Sequence, residues 1–150
     1  MVNYVGMPLD VTASATFDFL PLGTPERDEV HLLFTGDLAL VLPPHERTTV
    51  TSYHVPDDGA RIIALTSHTH ALGTLATIED ADMFDRVPAR LLHESRSWAE
   101  PPLDTFAPPL VLAPEHGLRL TCVFENTRDD TVTFGLDFDE EMCFLWAYWY

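Results

Sequence analysis

Two histidines separated by one residue, His68 and His70, are the side chains whose types and spacing most directly suggest chemistry. In a β-strand, residues two apart point to the same face, so both imidazoles would leave one face of a sheet a few ångströms apart. Two neutral imidazole nitrogens at that separation suit a transition-metal ion. With 7 histidines in 150 residues, about 0.3 such pairs are expected by chance. Two half-exposed strand histidines without a metal are therefore the alternative.

A second group of residue types, Asp139-Glu140-Glu141-Met142-Cys143, precedes the aromatic run 144–150. A methionine beside an acidic turn usually fills a gap in the core. Its thioether is also a soft ligand that prefers Cu(I) to hard cations. Two imidazoles and one thioether would suit redox-active copper better than zinc, calcium or magnesium. The neighbouring carboxylates would raise the local concentration of a cation without binding it directly.

The two cysteines, Cys122 and Cys143, are the right number for one disulfide and too few for a cysteine zinc site. A bridge between them would close a loop of about 20 residues and would stabilise the fold by about 3 kcal/mol. It would also fix the chain directly after Met142. Two buried free thiols are the alternative, and a cytosolic protein would favour it.

The elements that position these side chains are predicted to be strands. The chain contains 12 prolines and 7 glycines, spread along its length, and they leave no room for a long helix. Alternation of apolar and polar residues indicates strands. The predicted strands are 11–20, 30–34, 37–42, 48–55, 61–70, 74–79, 89–94, 106–112, 118–126, 131–138 and 142–150. They predict an all-β fold, an antiparallel β-sandwich or jelly roll of roughly 8–10 strands. The polar segment 126–130 between two alternating runs predicts a hairpin turn.

Length and charge narrow the function classes. At 150 residues and 16.9 kDa, the chain is expected to form a single domain over 1–150. Asp and Glu number 24 against 8 basic residues, all Arg, and the resulting net charge of −16 argues against nucleic acid or an anionic membrane as partner. No run approaches the roughly 18 apolar residues that membrane insertion requires. No signal peptide is visible at the amino terminus.

The remaining histidines are isolated along the sequence, and we expect each to be a surface or hydrogen-bonded residue rather than a metal ligand. They are His31, His45, His54, His93 and His116. The chain also lacks a glycine-rich phosphate loop and a nucleophile elbow.

Taken together, the motifs resemble the catalytic carboxy-terminal domain of the copper type II, ascorbate-dependent monooxygenases. The matching stretches are 68–74, 120–127, 131–135 and 139–143, and weaker similarity covers 41–44 and 98–112. The two principal motifs, the histidine pair and the methionine-cysteine pair, occur in the order typical of the family. Jointly they are far more specific than the histidine pair alone.

The resemblance implies a jelly-roll domain in which His68, His70 and Met142 hold one oxygen-activating copper ion. It also implies a disulfide between Cys122 and Cys143 beside that site. In the family, ascorbate or another small reductant supplies electrons, and a C–H bond of a small-molecule or small-peptide substrate is hydroxylated. The family generally works in secretory or extracellular space, which favours an extracytoplasmic location.

Two departures from the family pattern are visible. Complete family enzymes carry an amino-terminal jelly roll with another copper, and here the residues before the histidine strand are needed for this domain's own strands. Electrons are then expected from a separate electron-transfer chain or a small reductant. The peptide-hydroxylating members place arginine, asparagine and tyrosine where this chain has Thr66, Phe144 and Trp146. That difference indicates a more apolar, aromatic pocket than a glycine-extended peptide requires.

Two other functions remain open from the sequence. A non-catalytic module that stores, senses or transfers copper would need the same ligands and no electron-transfer domain. A jelly-roll interaction domain would use an exposed aromatic edge at the carboxy terminus. The aromatic residues of that edge are Trp146, Tyr148, Trp149 and Tyr150.

Overall fold

The computed structural model describes residues 10, 12–25 and 27–150 of the chain, and within them it contains ten β-strands. In chain order these are β1 (His31–Gly36), β2 (Val41–Leu42), β3 (Arg47–His54), β4 (Ile62–His68), β5 (Gly73–Asp82), β6 (Pro88–Ser95), β7 (Asp104–Leu110), β8 (His116–Glu125), β9 (Val132–Thr133) and β10 (Phe144–Trp149).

Eight of these strands form two antiparallel four-stranded sheets, and the two shortest form a separate pair. One sheet has the order β1-β10-β4-β7, the other has the order β3-β8-β5-β6, and β2 pairs with β9. Strands distant in sequence are neighbours in each sheet, which is the arrangement of a jelly roll. The prediction of an all-β sandwich is therefore confirmed. In the part of the chain that the structure describes, no helix is long and apolar enough to cross a membrane.

The core lies between the two sheets. Ile62 and Leu65 of β4 and Leu145 of β10 are fully buried, and they belong to the same cluster as Ile78 of β5 and Phe124 of β8. The alternation seen in β8 and β10 explains this arrangement, because every second side chain of each strand points to the same face. The other face of β10 carries Phe144, Trp146 and Tyr148, and this face positions the candidate site.

The strand predicted over 11–20 is wrong for the described residues. Val11 lies outside them, and 12–20 forms no strand. Phe17 and Phe19, the apolar residues of the alternating pattern, are 72% and 89% exposed. Alternation stabilises a strand only where one face is buried and the backbone finds a partner. Neither condition is met in this segment.

The hairpin predicted at 126–130 is also wrong. The strand before it, β8, pairs with β3 and β5, whereas β9 after it pairs with β2. The Asn126 side chain is buried and donates hydrogen bonds to the carbonyl oxygens of Leu42, Pro43 and Asp130. These bonds lead the chain from one sheet to the small β2–β9 pair instead of back along β8.

Four other predicted strands are shorter in the structure, and one of them is the strand predicted over 61–70, which reduces to β4. The prediction over 131–138 reduces to β9, that over 37–42 to β2, and that over 142–150 begins at Phe144. Met142 is therefore outside β10, and His70 lies two residues after β4. Contacts of residues 140–142, described below, connect these two segments in place of the backbone pairing of a sheet.

Candidate metal centre

The candidate centre lies where β4 ends beside the beginning of β10. The two strands are antiparallel, with His68 opposite Phe144 and Thr66 opposite Trp146. Directly opposed residues share a face, so His68 lies on the aromatic face of β10 and not on the face that packs into the core. The strand pairing ends at this position, and the contacts of Glu141 described below connect His70 to Met142.

His68 is half-buried, and its ring stacks on Trp146 with a centroid distance of 5.7 Å. Burial lowers the pKa of His68 below its usual value, and the neighbouring His70 lowers this pKa further. Both effects favour the neutral imidazole, which is the form that binds metals.

His70 has a fixed ring orientation. Its Nδ1 donates a hydrogen bond of 2.8 Å to the carbonyl oxygen of Glu140. A carbonyl oxygen can only accept, so Nδ1 carries the proton, and in the neutral ring Nε2 carries the free lone pair. Such a bond to the far nitrogen is the usual way in which a metal-binding histidine is oriented. The rings of His68 and His70 are perpendicular, with centroids 5.2 Å apart.

Glu141 connects the two motifs. Its side chain is 0% exposed; Oε1 accepts a bond of 2.6 Å from the Leu72 backbone N–H, and Oε2 accepts one of 2.8 Å from that of His70. Oε2 also accepts a longer bond, 3.3 Å, from the N–H of Met142. The backbone nitrogens of His70 and Met142 thus share one carboxylate oxygen. This contact brings the histidine turn and the methionine segment together.

Two opposing effects act on the Glu141 carboxyl. Burial is the larger effect and raises its pKa above the usual value, whereas the hydrogen bonds from Leu72, His70 and Met142 lower it. No sequence pattern singles out Glu141, because three consecutive acidic residues at 139–141 carry no periodicity that marks one as buried. The acidic turn was expected to place solvated carboxylates near the site. Glu141 is instead a buried acceptor of hydrogen bonds from backbone N–H groups.

Met142 is 5% exposed and lies beside the disulfide. The disulfide between Cys122 and Cys143 has a Cα–Cα distance of 5.9 Å, and both cysteines are fully buried. It joins β8 of one sheet to the residue that precedes β10 of the other. The expected disulfide is therefore present, and it anchors the backbone directly after Met142.

The ligand types available at the centre are restricted. Among the residues that the structure describes, no group of three His, Cys, Asp or Glu side chains is arranged to hold a metal ion. Within that part of the chain, His68 and His70 thus have no third residue of these four types placed to bind a metal together with them. The Met142 thioether belongs to the segment that Glu141 holds against His70, and it is a soft donor suited to Cu(I).

Aromatic residues surround the exposed side of the centre. Phe144 contacts Phe34 and Phe134, with ring centroids 4.7 and 5.7 Å apart, and Phe34 lies 5.4 Å from Trp146. A Cβ at Gly36 would overlap the Phe144 ring. The absence of a side chain at this position of β1 therefore makes room for Phe144.

The other histidines are hydrogen-bonded or stacked. His45 bonds to Asp129, His54 to Thr35 and Ser52, His93 to Ser67 and Asp104, and His116 to Asp80, while His31 stacks on Trp149. The residues of the aromatic tail are half-buried. They are therefore less exposed than the aromatic edge that the interaction hypothesis assumes.

The Ser67–His93–Asp104 arrangement resembles a hydrolase triad in its distances only. Ser67 Oγ lies 2.8 Å from His93 Nε2, and His93 Nδ1 lies 2.7 Å from Asp104 Oδ2. Ser67 is 1% exposed and points into the sandwich, where no substrate carbonyl can reach its oxygen. The three residues instead form a polar link between β4, β6 and β7.

This link makes the stability of the domain pH-dependent. Burial lowers the pKa of His93 below its usual value of 6.5, although Asp104 and Glu94 oppose that shift. The unfolded chain then binds the proton more readily than the folded chain. We expect the contribution of His93 to the free energy of unfolding to be constant above about pH 6.5 and to fall below it, by at most about 1.4 kcal/mol per pH unit for this one proton.

Urea denaturation between pH 5 and 8 measures this dependence. His93→Gln should flatten the slope, and the exposed His45→Gln should leave it unchanged. Burial also lowers the pKa of His54 and His68, so part of the slope should persist in His93→Gln. If the wild type, His93→Gln and His45→Gln had the same slope, the assignment of the pH dependence to His93 would be contradicted.

A known family matches most of this chain. The sequence model described as "copper type II ascorbate-dependent monooxygenase, C-terminal domain" matches residues 45–150. The match contains both histidines, Met142 and both cysteines. The chain belongs to this family. It is thus a copper monooxygenase-like domain of a copper- and ascorbate-dependent family. No curated protein matches this monooxygenase domain.

Proposed function

We propose that this copper type II monooxygenase domain is an oxidoreductase that holds one copper ion through His68, His70 and Met142 and hydroxylates a C–H bond of a small apolar substrate. The observation that carries the proposal is the bond from His70 Nδ1 to the Glu140 carbonyl. It leaves the lone pair of His70 Nε2 free to bind a metal ion next to His68. The Glu141 carboxylate joins this histidine to Met142. The family match supports the choice of copper.

Each residue has a defined part in this proposal. Copper, when bound and reduced by ascorbate, supplies the reactivity toward dioxygen. His68 and His70 present neutral imidazoles, and Glu140 fixes the orientation of the second one. Met142 supplies a soft ligand that stabilises Cu(I) over Cu(II). The pair Cys122–Cys143 holds the Met142 backbone in place.

The side chains around the centre favour an apolar substrate. Thr66 donates its hydroxyl hydrogen bond to the carbonyl oxygen of Pro102 and is thus already satisfied. Phe34, Phe144 and Trp146 present aromatic carbon beside His68. Phe34, Phe144 and Trp146 offer no cationic group to a substrate carboxylate. A small neutral or aromatic molecule therefore fits better than a peptide with a free carboxylate.

Copper titration of the purified protein, followed by X-ray absorption on the reduced form, tests the ligand set. We expect one copper per chain and a sulfur scatterer. Met142→Leu should abolish the sulfur signal and weaken Cu(I) binding by more than about 10-fold, since even residues that only orient a ligand contribute 10- to 100-fold. Met83→Leu, which changes a methionine at the other end of the sandwich, is the matched control. A sulfur signal that survives in Met142→Leu would exclude this ligand.

Copper binding should also quench tryptophan fluorescence, because the Trp146 ring stacks directly on His68. Cu(II) titration of the wild type is expected to show quenching that saturates at one equivalent. In Trp146→Phe the quenching should be largely lost while the copper stoichiometry is kept. Trp98→Phe is the control and should retain it. Equal quenching in both variants would contradict the placement of copper at His68.

The same preparation separates catalysis from passive copper binding. With ascorbate and a panel of apolar C–H substrates, an oxidoreductase consumes oxygen in proportion to the hydroxylated product. Stoichiometric copper without oxygen consumption would instead favour the storage or transfer module. Turnover with ascorbate alone would show that a separate electron-transfer chain is not required.

A further inference from the structure

A cavity of about 860 Å³ lies at the end of the sandwich opposite to His68 and His70. Three connections line it: 55–60 between β3 and β4, Met83 and Phe84 after β5, and 111–115 between β7 and β8, followed by His116 at the start of β8. Fully buried Ile62 lies at its base. The volume is within the range of sites that bind small molecules, roughly 300 to 1,000 Å³.

The cavity is separate from the proposed copper centre. Ile62 and His68 are the two ends of β4. At about 3.3 Å per residue, a strand of that length separates them by roughly 20 Å. A ligand in the cavity would therefore contact neither His68 and His70 nor the aromatic cluster beside them.

Apolar side chains at the cavity are uncovered. Phe84 is 89% exposed, and Val55 and Val111 are also among the exposed large hydrophobic residues. Met83 contributes a further flexible apolar side chain. Several exposed apolar residues around one concavity are typical of a binding site, whereas single ones scattered over a surface are not.

Carboxylates outnumber basic side chains in the lining. Asp57, Asp58 and Glu115 are the carboxylates at the cavity, and none of its lining residues, all within the described part of the chain, is an arginine. The one basic side chain of the lining, His116, is hydrogen-bonded to Asp80 at 2.6 Å. The two arginines close to these loops in sequence are directed at aromatic rings: Arg61 lies over Tyr150 and Arg86 over Tyr53. The cavity is therefore an acidic site on a protein whose net charge is already −16.

Backbone hydrogen bonds hold the enclosing connections in place without a ligand. The Met83 N–H donates to the carbonyl oxygen of Glu115 at 2.9 Å, which joins two of the three connections. The Ala60 N–H donates to the carbonyl oxygen of Asp57 at 3.0 Å and closes the turn of the third. A ligand would thus meet a largely formed cavity, and little free energy would be lost in ordering it.

We propose that this cavity binds a small organic cation, an ammonium group attached to an apolar body. The apolar body would contact Ile62, Met83 and Phe84, and the ammonium group would lie near the carboxylates. The carboxylates disfavour anionic ligands of the same size. This binding requires no copper and is independent of the function proposed above.

Titration of the copper-free protein with hexyltrimethylammonium, followed by NMR, tests the proposal. We expect saturable shifts confined to 55–60, 83–84 and 111–116. Hexanoate should give no saturable shifts, and hexanol should bind more weakly than the cation. Binding of the cation should weaken as salt is added, because its carboxylate partners are exposed.

Variants with a matched control make the test specific. The double variant Asp57→Asn/Asp58→Asn should weaken cation binding by about 3- to 10-fold, and Phe84→Ala should also weaken it. Asp129→Asn/Asp130→Asn removes an equally exposed pair of carboxylates far along the chain and should change nothing.

Four results would overturn the proposal: no saturation at millimolar concentrations, equal binding of hexanoate, unchanged affinity in the Asp57/Asp58 variant, or contacts from another part of the same chain that fill the cavity.

Discussion

Replacement of Glu141 by alanine is expected to lower the free energy of unfolding by about 3 to 5 kcal/mol. The carboxylate is fully buried and accepts hydrogen bonds from the backbone N–H groups of Leu72, His70 and Met142. Without it, three backbone donors in a buried region lose their acceptor, and each unsatisfied donor costs about 1 to 3 kcal/mol. Water entering the space left by the side chain would recover part of that cost.

Urea denaturation of Glu141→Ala measures the loss, and Glu125→Ala is its matched control. Glu125 is an exposed glutamate at the end of β8, so its removal changes the net charge equally and should alter stability by less than about 0.5 kcal/mol. Glu141→Gln should give an intermediate loss, because an amide retains one acceptor oxygen but directs a donor at another donor. Equal stability of the two alanine variants would show that the Glu141 bonds contribute nothing net.

Loss of the Cys122–Cys143 disulfide is expected to lower the free energy of unfolding by about 3 kcal/mol, because the bridge restricts a loop of about 20 residues in the unfolded chain. For a domain of this size, that corresponds to a fall of about 6 to 12 °C in the melting temperature. The bridge also joins the two sheets directly after Met142. We therefore expect reduction to weaken Cu(I) binding as well.

Calorimetry with and without reductant measures the effect of the bridge, and a Cys122→Ala/Cys143→Ala variant is the control. The variant should melt at a temperature close to that of the reduced wild type and should not respond to reductant. An unchanged melting temperature of the wild type after complete alkylation of both thiols would contradict the expected stabilisation. Unchanged copper affinity after reduction would show that the bridge does not contribute to copper binding.

The sandwich was predictable from the sequence where alternation and burial coincide. In β8, Leu118, Leu120, Cys122 and Phe124 alternate with more polar residues, and the structure buries all four. The same pattern over 12–20 predicts a strand that does not form there, because alternation reports a capacity for one-sided burial and not the presence of a covering surface. Which segments find a partner is decided by long-range pairing.

For the candidate site, the sequence indicated the residue types but not the contacts that orient them. His68, His70 and Met142 follow from spacing and ligand chemistry together with the family resemblance. The bond from His70 to the Glu140 carbonyl and the burial of Glu141 depend on contacts between residues about 70 positions apart in the chain. No local pattern encodes such contacts, so only the folded arrangement distinguishes Glu141 from its acidic neighbours.

The order of the strands has a consequence for when the protein could acquire the copper ion proposed above. The strand next to Met142, β10, is inserted between β1 and β4, although it follows both of them by many residues. During synthesis on a ribosome, His68 and His70 therefore emerge long before Met142, the proposed sulfur ligand, and the gap beside β4 is filled last. Stable copper loading would then be a late event, restricted to chains that have completed the central pairing of the sheet. Misfolded or truncated chains would retain at most a weak two-histidine site.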